Sequence, residues 1–439
     1  MTILTQIVQF ILIISILVVL HELGHYLTAK WFKTKVEKFY LFFNPWFSLF
    51  KKKIGETEYG IGWLPMGGYV KIAGMIDESM DTEQMEKEPQ PWEFRSKPAW
   101  QRLIIMLGGI IVNVLLAWFI YSALLIKDGD TYIPMENLEH GIYVNENGEA
   151  LGFKTGDKIV SIDGDTATRF DDLMLNVILG EEVVVERNGA NKTIPITDEA
   201  LKSVFSGLKN VFFFPRFEAL IDSVPSNSGA HKGGLQKGDK IVAIDGKSLQ
   251  FTDELKAYLD NVDNDTVTVA VNRGGSIVDK KVALTDKRLG VVLSVDPDKF
   301  IKTDDYGFFA AIPAGLAKTY DVLVKQVKQL KVIFKPKTEA YKQVKGPIGI
   351  VEMMPPTWDW TFFWRFTAMF SIWLAFVNIL PIPALDGGHA MFLTYEIISG
   401  RPPSQKVLEK GQIIGFVIIM GIMLLVFGND IWNIVKRFI

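Results

Sequence analysis

His21, Glu22 and His25 stand in the run His21-Glu22-Leu23-Gly24-His25. On an α-helix, residues four apart lie about one turn apart on one face, so both imidazoles can bind one metal ion. Zinc suits this spacing, and a glutamate beside the two ligands can take a proton from water that the ion activates. The reading is therefore His21 and His25 as zinc ligands and Glu22 as general base. The setting sharpens it. Met1 to Leu20 carry no charge, and ionisable groups at membrane depth are costly and usually functional. The plain alternative is a helix that merely ends in polar residues.

Four apolar segments are the elements that must hold this chemistry. Crossing a bilayer takes about 20 residues. Besides the first segment, Leu103–Ile126, Phe366–Leu385 and Gly411–Asn429 carry no charge over 24, 20 and 19 residues. The first segment lacks the basic start and small-residue cleavage site of a signal peptide, so it reads as a permanent anchor. Four spans place both termini on one side. Lys30, Lys33, Lys35, Lys38, Lys51, Lys52, Lys53, Lys71, Lys87, Arg95 and Lys97 crowd the loop after the first span. Such density marks the cytoplasmic face. Arg401, Lys406 and Lys410 add to it after the third span. The long region from about 128 to 360 then faces outward.

On this topology the first and third spans run the same way. The third ends in Asn378-Ile379-Leu380-Pro381-Ile382-Pro383-Ala384-Leu385-Asp386-Gly387-Gly388-His389, at a depth similar to His21 and His25. Asp386 is the expected third zinc ligand, leaving a fourth position open for water as a catalytic site requires. The alternative is that Asp386 only caps a turn rich in Pro and Gly. His389 is not counted as a ligand. His140, His231 and His389 are expected at the surface.

Composition fits a membrane protein with large water-exposed parts. Hydrophobic residues make up 49% of the 439 residues and charged ones 22%, too many charges for a chain that is all span. The formal charge of -3 offers no basic footprint for nucleic acid. Cysteine is absent, which excludes disulfides and cysteine-ligated zinc.

The outward region repeats itself. Gly156-Asp157-Lys158-Ile159-Val160-Ser161-Ile162-Asp163-Gly164 returns 82 residues later as Gly238-Asp239-Lys240-Ile241-Val242-Ala243-Ile244-Asp245-Gly246. Each copy reads as a turn, a buried strand and a second tight turn. A β-rich run with an Arg-containing turn follows each, Val183–Gly189 and Val267–Gly275. The period suits tandem globular domains rather than a solenoid. The pattern resembles bacterial PDZ domains, more closely in the second copy, where Gly233-Gly234-Leu235-Gln236-Lys237 precedes it. PDZ grooves take a peptide end as an added strand, so the pair reads as a substrate filter or as a plain spacer.

Two membrane-proximal elements remain. Glu58 to Ile72, with Gly67, Gly68 and Tyr69 inside it, is apolar, rich in Gly and aromatics, and too broken to span. It reads as a β-hairpin at the cytoplasmic interface that could hold a substrate segment extended by β-addition, or that only packs on the spans. Leu316, Tyr320, Leu323, Val324, Val327, Leu330 and Phe334 form one helical stripe, flanked by lysines. Such a helix lies on a lipid surface or packs beneath the outer domains.

His21-Glu22-x-x-His25 in the first span, with Asn378 to Gly388 in the third, resembles the site-2 family of intramembrane zinc metalloproteases over nearly the whole chain. The likeness is greatest to a bacterial branch with four spans and two PDZ domains between the second and third. The resemblance implies that His21, His25 and Asp386 hold one zinc and that Glu22 is the base. It implies that Asn378, Pro381 and Pro383 help hold substrate, and it supports a sheet beside the active site. It implies a Gram-negative inner membrane, periplasmic PDZ domains, and single-span substrates such as anti-sigma factors, cut after an earlier cleavage. One departure is Gly109 in Gly108-Gly109-Ile110-Ile111-Val112-Asn113, where the family often has proline; it is expected to bear on helix packing.

The expected fold is a polytopic α-helical membrane protein with four transmembrane helices, two inserted PDZ-like α/β, mainly β, domains and a membrane-associated β-hairpin. The expected limits are helix 1–27, loop 28–101, helix 102–127, PDZ-like domains 128–208 and 209–297, and amphipathic helix and linker 298–360. Helix 361–386, loop 387–410 and helix 411–435 complete them. The expected function is an intramembrane zinc endopeptidase whose partners are single-span substrates, the lipid bilayer and peptide C-termini at the PDZ domains, with no nucleic acid. The competing class is a membrane-anchored tandem-PDZ receptor with a structural zinc.

Overall fold

The computed structural model describes residues 2–75, 88–206, 211–294 and 300–436; Lys87 of the basic loop lies outside them. The chain forms two compact units. One comprises Met1–Gly129, Asp305–Lys328 and Val344–Ile439, the other Asp130–Asp304 and Gln329–Gln343.

In the first unit, four helices are long and apolar enough to cross a membrane: Ile3–Trp31, Ala99–Asp128, Trp360–Ile379 and Lys406–Trp432. The first continues past both histidines to Trp31. It meets the second at glycines. A Cβ on Gly24 would lie 2.2 Å from the Gly108 carbonyl oxygen, and one on Gly108 would lie 2.6 Å from that of Gly24. Small residues at this crossing let two backbones touch, the usual basis of close helix pairs in lipid. The second helix packs on the third through Ala117, Ile120, Tyr121, Ala368 and Ile372.

The third helix starts earlier and ends sooner than its charge-free run implies. It begins at Trp360, includes Arg365, and stops at Ile379. Pro381 and Pro383 cannot continue a helix and force the residues before them out of helical conformation. Ala384 takes φ 93° in the turn, strain of the kind that collects at functional sites. Asp386 then opens a new helix, Asp386–Ser399, within the stretch expected to be a cytoplasmic loop.

The expected hairpin is larger than its sequence signal. Strands Val36–Ile54 and Thr57–Ile72 each double back. Residues 38–41 pair with 58–61 on one side and with 68–71 on the other, while 48–54 pair with 57–62. The result is a mixed four-stranded sheet in the order 48–54, 57–62, 36–43, 64–72, parallel between 57–62 and 36–43 and antiparallel at the other two pairings. Strand 64–72 is one edge, and among the described residues it pairs with a neighbour on one side only.

Helix Phe308–Ile333 packs against the second helix. Trp118 Nε1 donates to the Ile312 carbonyl at 2.8 Å, and a Cβ on Gly315 would meet Ser122 Oγ at 2.2 Å. This contact uses a face centred on Ala311, Gly315 and Thr319. Leu316, Tyr320, Val327 and Phe334 of the expected stripe are left exposed. The fourth helix is held at one end by Asp430, which accepts from the backbone N–H groups of Gly346, Ile348 and Gly349 at 2.9, 3.0 and 3.2 Å.

In the second unit the two repeat copies build two cores, one around Ile142, Phe153, Val183 and Val185, the other around Ile221, Ile241, Val269 and Val271. The repeated motif is structural in both. Asp157 takes two bonds of 2.7 Å from Arg187 and one of 2.8 Å from the Lys154 N–H. Asp239 takes two of 2.7 Å from Arg273 and one of 2.9 Å from the Gln236 N–H. Asp163-Gly164 and Asp245-Gly246 are tight hairpin turns with both residues at positive φ, as two-residue turns of this kind demand. Phe213–Pro215, which the expected limits assign to the second copy, pairs with Ile142–Val144 and completes the first.

Candidate metal centre

The i, i+4 spacing on an unbroken helix brings the His21 and His25 rings edge to face, 4.9 Å between centroids, and both residues are buried. Their Nε2 atoms lie 3.3 Å apart. The turn after the third helix carries Asp386 Oδ2 to 3.2 Å from His21 Nε2 and 3.3 Å from His25 Nε2. Three ligands at about 2.0 Å from a tetrahedral ion sit about 3.3 Å from one another. The triangle has that size.

The chemistry of the donors agrees. His25 Nδ1 lies 2.9 Å from the Ile105 carbonyl. A carbonyl only accepts, so Nδ1 holds the proton and Nε2 turns its lone pair inward. Asp386 Oδ2 is buried and receives no well-formed hydrogen bond among the described residues, a cost few native structures leave unmet. A divalent cation at the centre of the triangle would satisfy all three atoms. His21, His25 and Asp386 form the cluster of potential ligand atoms found among the described residues.

A cavity of about 700 Å³ opens beside them. Glu22, Asn378, Gly67, Gly68 and Tyr69 line it together with His21, His25 and Asp386. Val70 lines the cavity beside Glu22 as well, so the open edge of the sheet faces the site. Asn378 Nδ2 lies 3.4 Å from His21 Nε2. Pro381 and Pro383 are outside this wall: Pro381 is exposed, and Pro383 packs against Gly411 and Gly415.

Other placements differ from expectation. His389 is half-buried and lines the same cavity, because the helix from Asp386 sets residues i and i+3 on one face. His140 is half-buried against Phe251 and 3.6 Å from Glu218, whereas His231 is exposed. Gly109 bears on the site as well as on packing, since a Cβ there would lie 2.5 Å from His25 Nε2 and 2.6 Å from His21 Cε1. Val70, Lys71, Gln412 and Asn113 were not singled out as site residues, although Asn113 closes the Gly108–Asn113 run that resembles the family's second span. Their nearness to the site comes from the pairing of strands and the rotation of helices.

The pattern of peptidase family M50 matches residues 9–422. A Treponema pallidum protein named "Putative zinc metalloprotease" is 26% identical, over 97% of this chain and 98% of its own length. The "Regulator of sigma E protease" of Haemophilus influenzae is 27% identical, over 96% and 97%. The "Regulator of sigma-E protease RseP" of Salmonella typhimurium is 27% identical, over 98% and 99%. With four apolar helices and a His, His, Asp triangle of zinc dimensions, the chain belongs to peptidase family M50, the site-2 proteases, and is a membrane zinc metalloprotease.

Proposed function

We propose that this protease cuts single-span membrane proteins within or near their membrane segment, with His21, His25 and Asp386 holding zinc and Glu22 acting as general base. The observation that carries the reading is one cavity walled by the metal triangle, by Glu22 and by an open strand edge. Held there, zinc supplies a Lewis acid that polarises the scissile carbonyl and acidifies water.

The chain's own groups do the rest. A peptide bond inside a helix is shielded by the helix's hydrogen bonds. Strand 64–72, through Gly67, Gly68 and Tyr69, pairs with the unwound substrate and holds it extended beside Glu22. Glu22 takes a proton from the attacking water and returns it to the leaving nitrogen. Asn378 Nδ2 donates to the carbonyl oxygen as charge develops on it. Pro381 and Pro383 shape the turn that brings Asp386 into place. Water enters from the cytoplasmic face, where the basic loops lie.

The two repeats are PDZ-type domains on the opposite face that filter substrates, by size and by taking peptide ends. Relatives named as regulators of sigma-E protease point to anti-sigma factors as the substrate class, in a bacterial inner membrane.

The test is cleavage of a tagged single-span reporter by purified, zinc-quantified protein. Glu22→Gln is expected to keep stoichiometric zinc while cleavage falls roughly 10²–10⁴-fold. Equal cleavage by both proteins would remove Glu22 from the mechanism.

A further inference from the structure

Both metal-facing imidazoles are steadied by the second membrane helix, through different chemistry. His25 Nδ1 meets the Ile105 main-chain carbonyl at 2.9 Å. His21 Nδ1 meets the side chain of Asn113, whose Nδ2 lies 3.1 Å away. Asn113 is wholly buried, and its Oδ1 has no hydrogen-bond partner among the described residues. Its main-chain carbonyl accepts from Ser371 Oγ at 2.8 Å, so the residue joins the first, second and third helices at the level of the triangle.

Amide shape is nearly the same either way round, and hydrogen bonding decides which end faces a neighbour. With Nδ2 toward His21, Nδ1 must carry the lone pair and Nε2 the proton. That proton would occupy the triangle. With Oδ1 toward His21, the ring donates Nδ1–H to the amide and turns the Nε2 lone pair toward His25 Nε2 and Asp386 Oδ2.

We propose that Asn113 is a positioning residue for the metal centre, its carboxamide oxygen accepting the Nδ1–H of His21 and thereby fixing that ring's tautomer and orientation for zinc. The inference rests on His21 being a ligand. Partners of this kind govern metal affinity, typically by 10- to 100-fold. The arrangement also accounts for Gly109 on the same helix: a side chain there would push into the two rings that Ile105 and Asn113 hold in place.

The experiment is zinc retention by the purified full-length chain against a graded chelator, for the native protein, Asn113→Ala, Asn113→Asp and His21→Ala. Thermal unfolding of each zinc-free form is followed alongside. Asn113→Ala is expected to weaken zinc binding about 10- to 100-fold, while Asn113→Asp, which keeps an acceptor oxygen, stays close to native. Native affinity in Asn113→Ala overturns the proposal. So does equal weakening in both Asn113 variants with a lowered zinc-free unfolding temperature, which assigns a packing role. If His21→Ala keeps native affinity, the ligand reading itself fails; if it loses zinc while Asn113→Ala does not, only the role of Asn113 fails.

Discussion

Two aspartates with buried carboxylate oxygens show how differently this chain uses the same side chain. Asp239, in the second repeat, is wholly buried and takes three hydrogen bonds, two of them from Arg273. Asp386, in the membrane unit, turns a buried oxygen toward two imidazole nitrogens and receives no well-formed bond. Asp239 is complete within the chain. Asp386 Oδ2 lacks a hydrogen-bond partner among the described residues, and the proposed cation would supply one. A carboxylate that the protein satisfies itself supports the fold, and one left unsatisfied at the expense of stability marks a site of function.

The sharpest way to break this comparison is Asp386→Ala. It is expected to abolish stoichiometric zinc and reduce reporter cleavage to background, measured by metal analysis and gel assay. The zinc-free form of the same variant should be about 1–2 kcal/mol more stable to unfolding than the zinc-free native chain, because a bare buried acceptor is gone. A destabilised zinc-free variant would mean that Asp386 supports the fold as Asp239 does.

Arg273→Ala should do the converse. Leaving the buried Asp239 without its guanidinium partner is expected to lower the denaturant midpoint for unfolding of the repeats, with zinc content unchanged. Acid gives an independent measure. Burial pushes the Asp239 carboxyl up, but Arg273 and the Gln236 N–H outweigh it and hold it below the usual carboxylate range. A group depressed in the folded state stabilises above its unfolded value of about 4. That stability is lost as pH falls through the lower folded value. The native repeats should therefore weaken below about pH 4, and Arg273→Ala should lose most of this dependence.

The smallest expected effect tests the turn beside the motif. Gly164 sits at φ 86°, and a Cβ added there would have nothing within 4 Å. Gly164→Ala meets no clash, so its expected cost of about 1 kcal/mol is backbone strain alone, read from the same unfolding curve.

Much of this was legible in the residues. The i, i+4 histidines need only a helix to converge, and an uncharged segment guarantees one. The repeat declared its strands through Ile159, Ile162, Ile241 and Ile244, and its turns through Asp-Gly. The sheet near the site was only half legible, because residues 38–41 pair on both sides and no local period reports a second partner. The third span was misjudged at its far end. The expected helix 361–386 runs through Pro381, and counting charges cannot see that a proline stops a helix. The surface placement of His389 failed because it treated the segment after Asp386 as loop.

By itself, the sequence determined which groups could do chemistry: two histidines and a glutamate on one helix, an aspartate after a proline-broken span, and two copies of a domain. Those follow from short-range rules of helix period, proline geometry and turn preference, which act over a few residues. Tertiary structure alone decided that Asp386 reaches His21, that the open edge of strand 64–72 faces Glu22, and that Asn113 meets His21 Nδ1. Each joins residues far apart in the chain, and the distances depend on helix rotation, glycine-limited approach and strand register. None of these quantities is encoded in any one segment; they arise when the segments pack together.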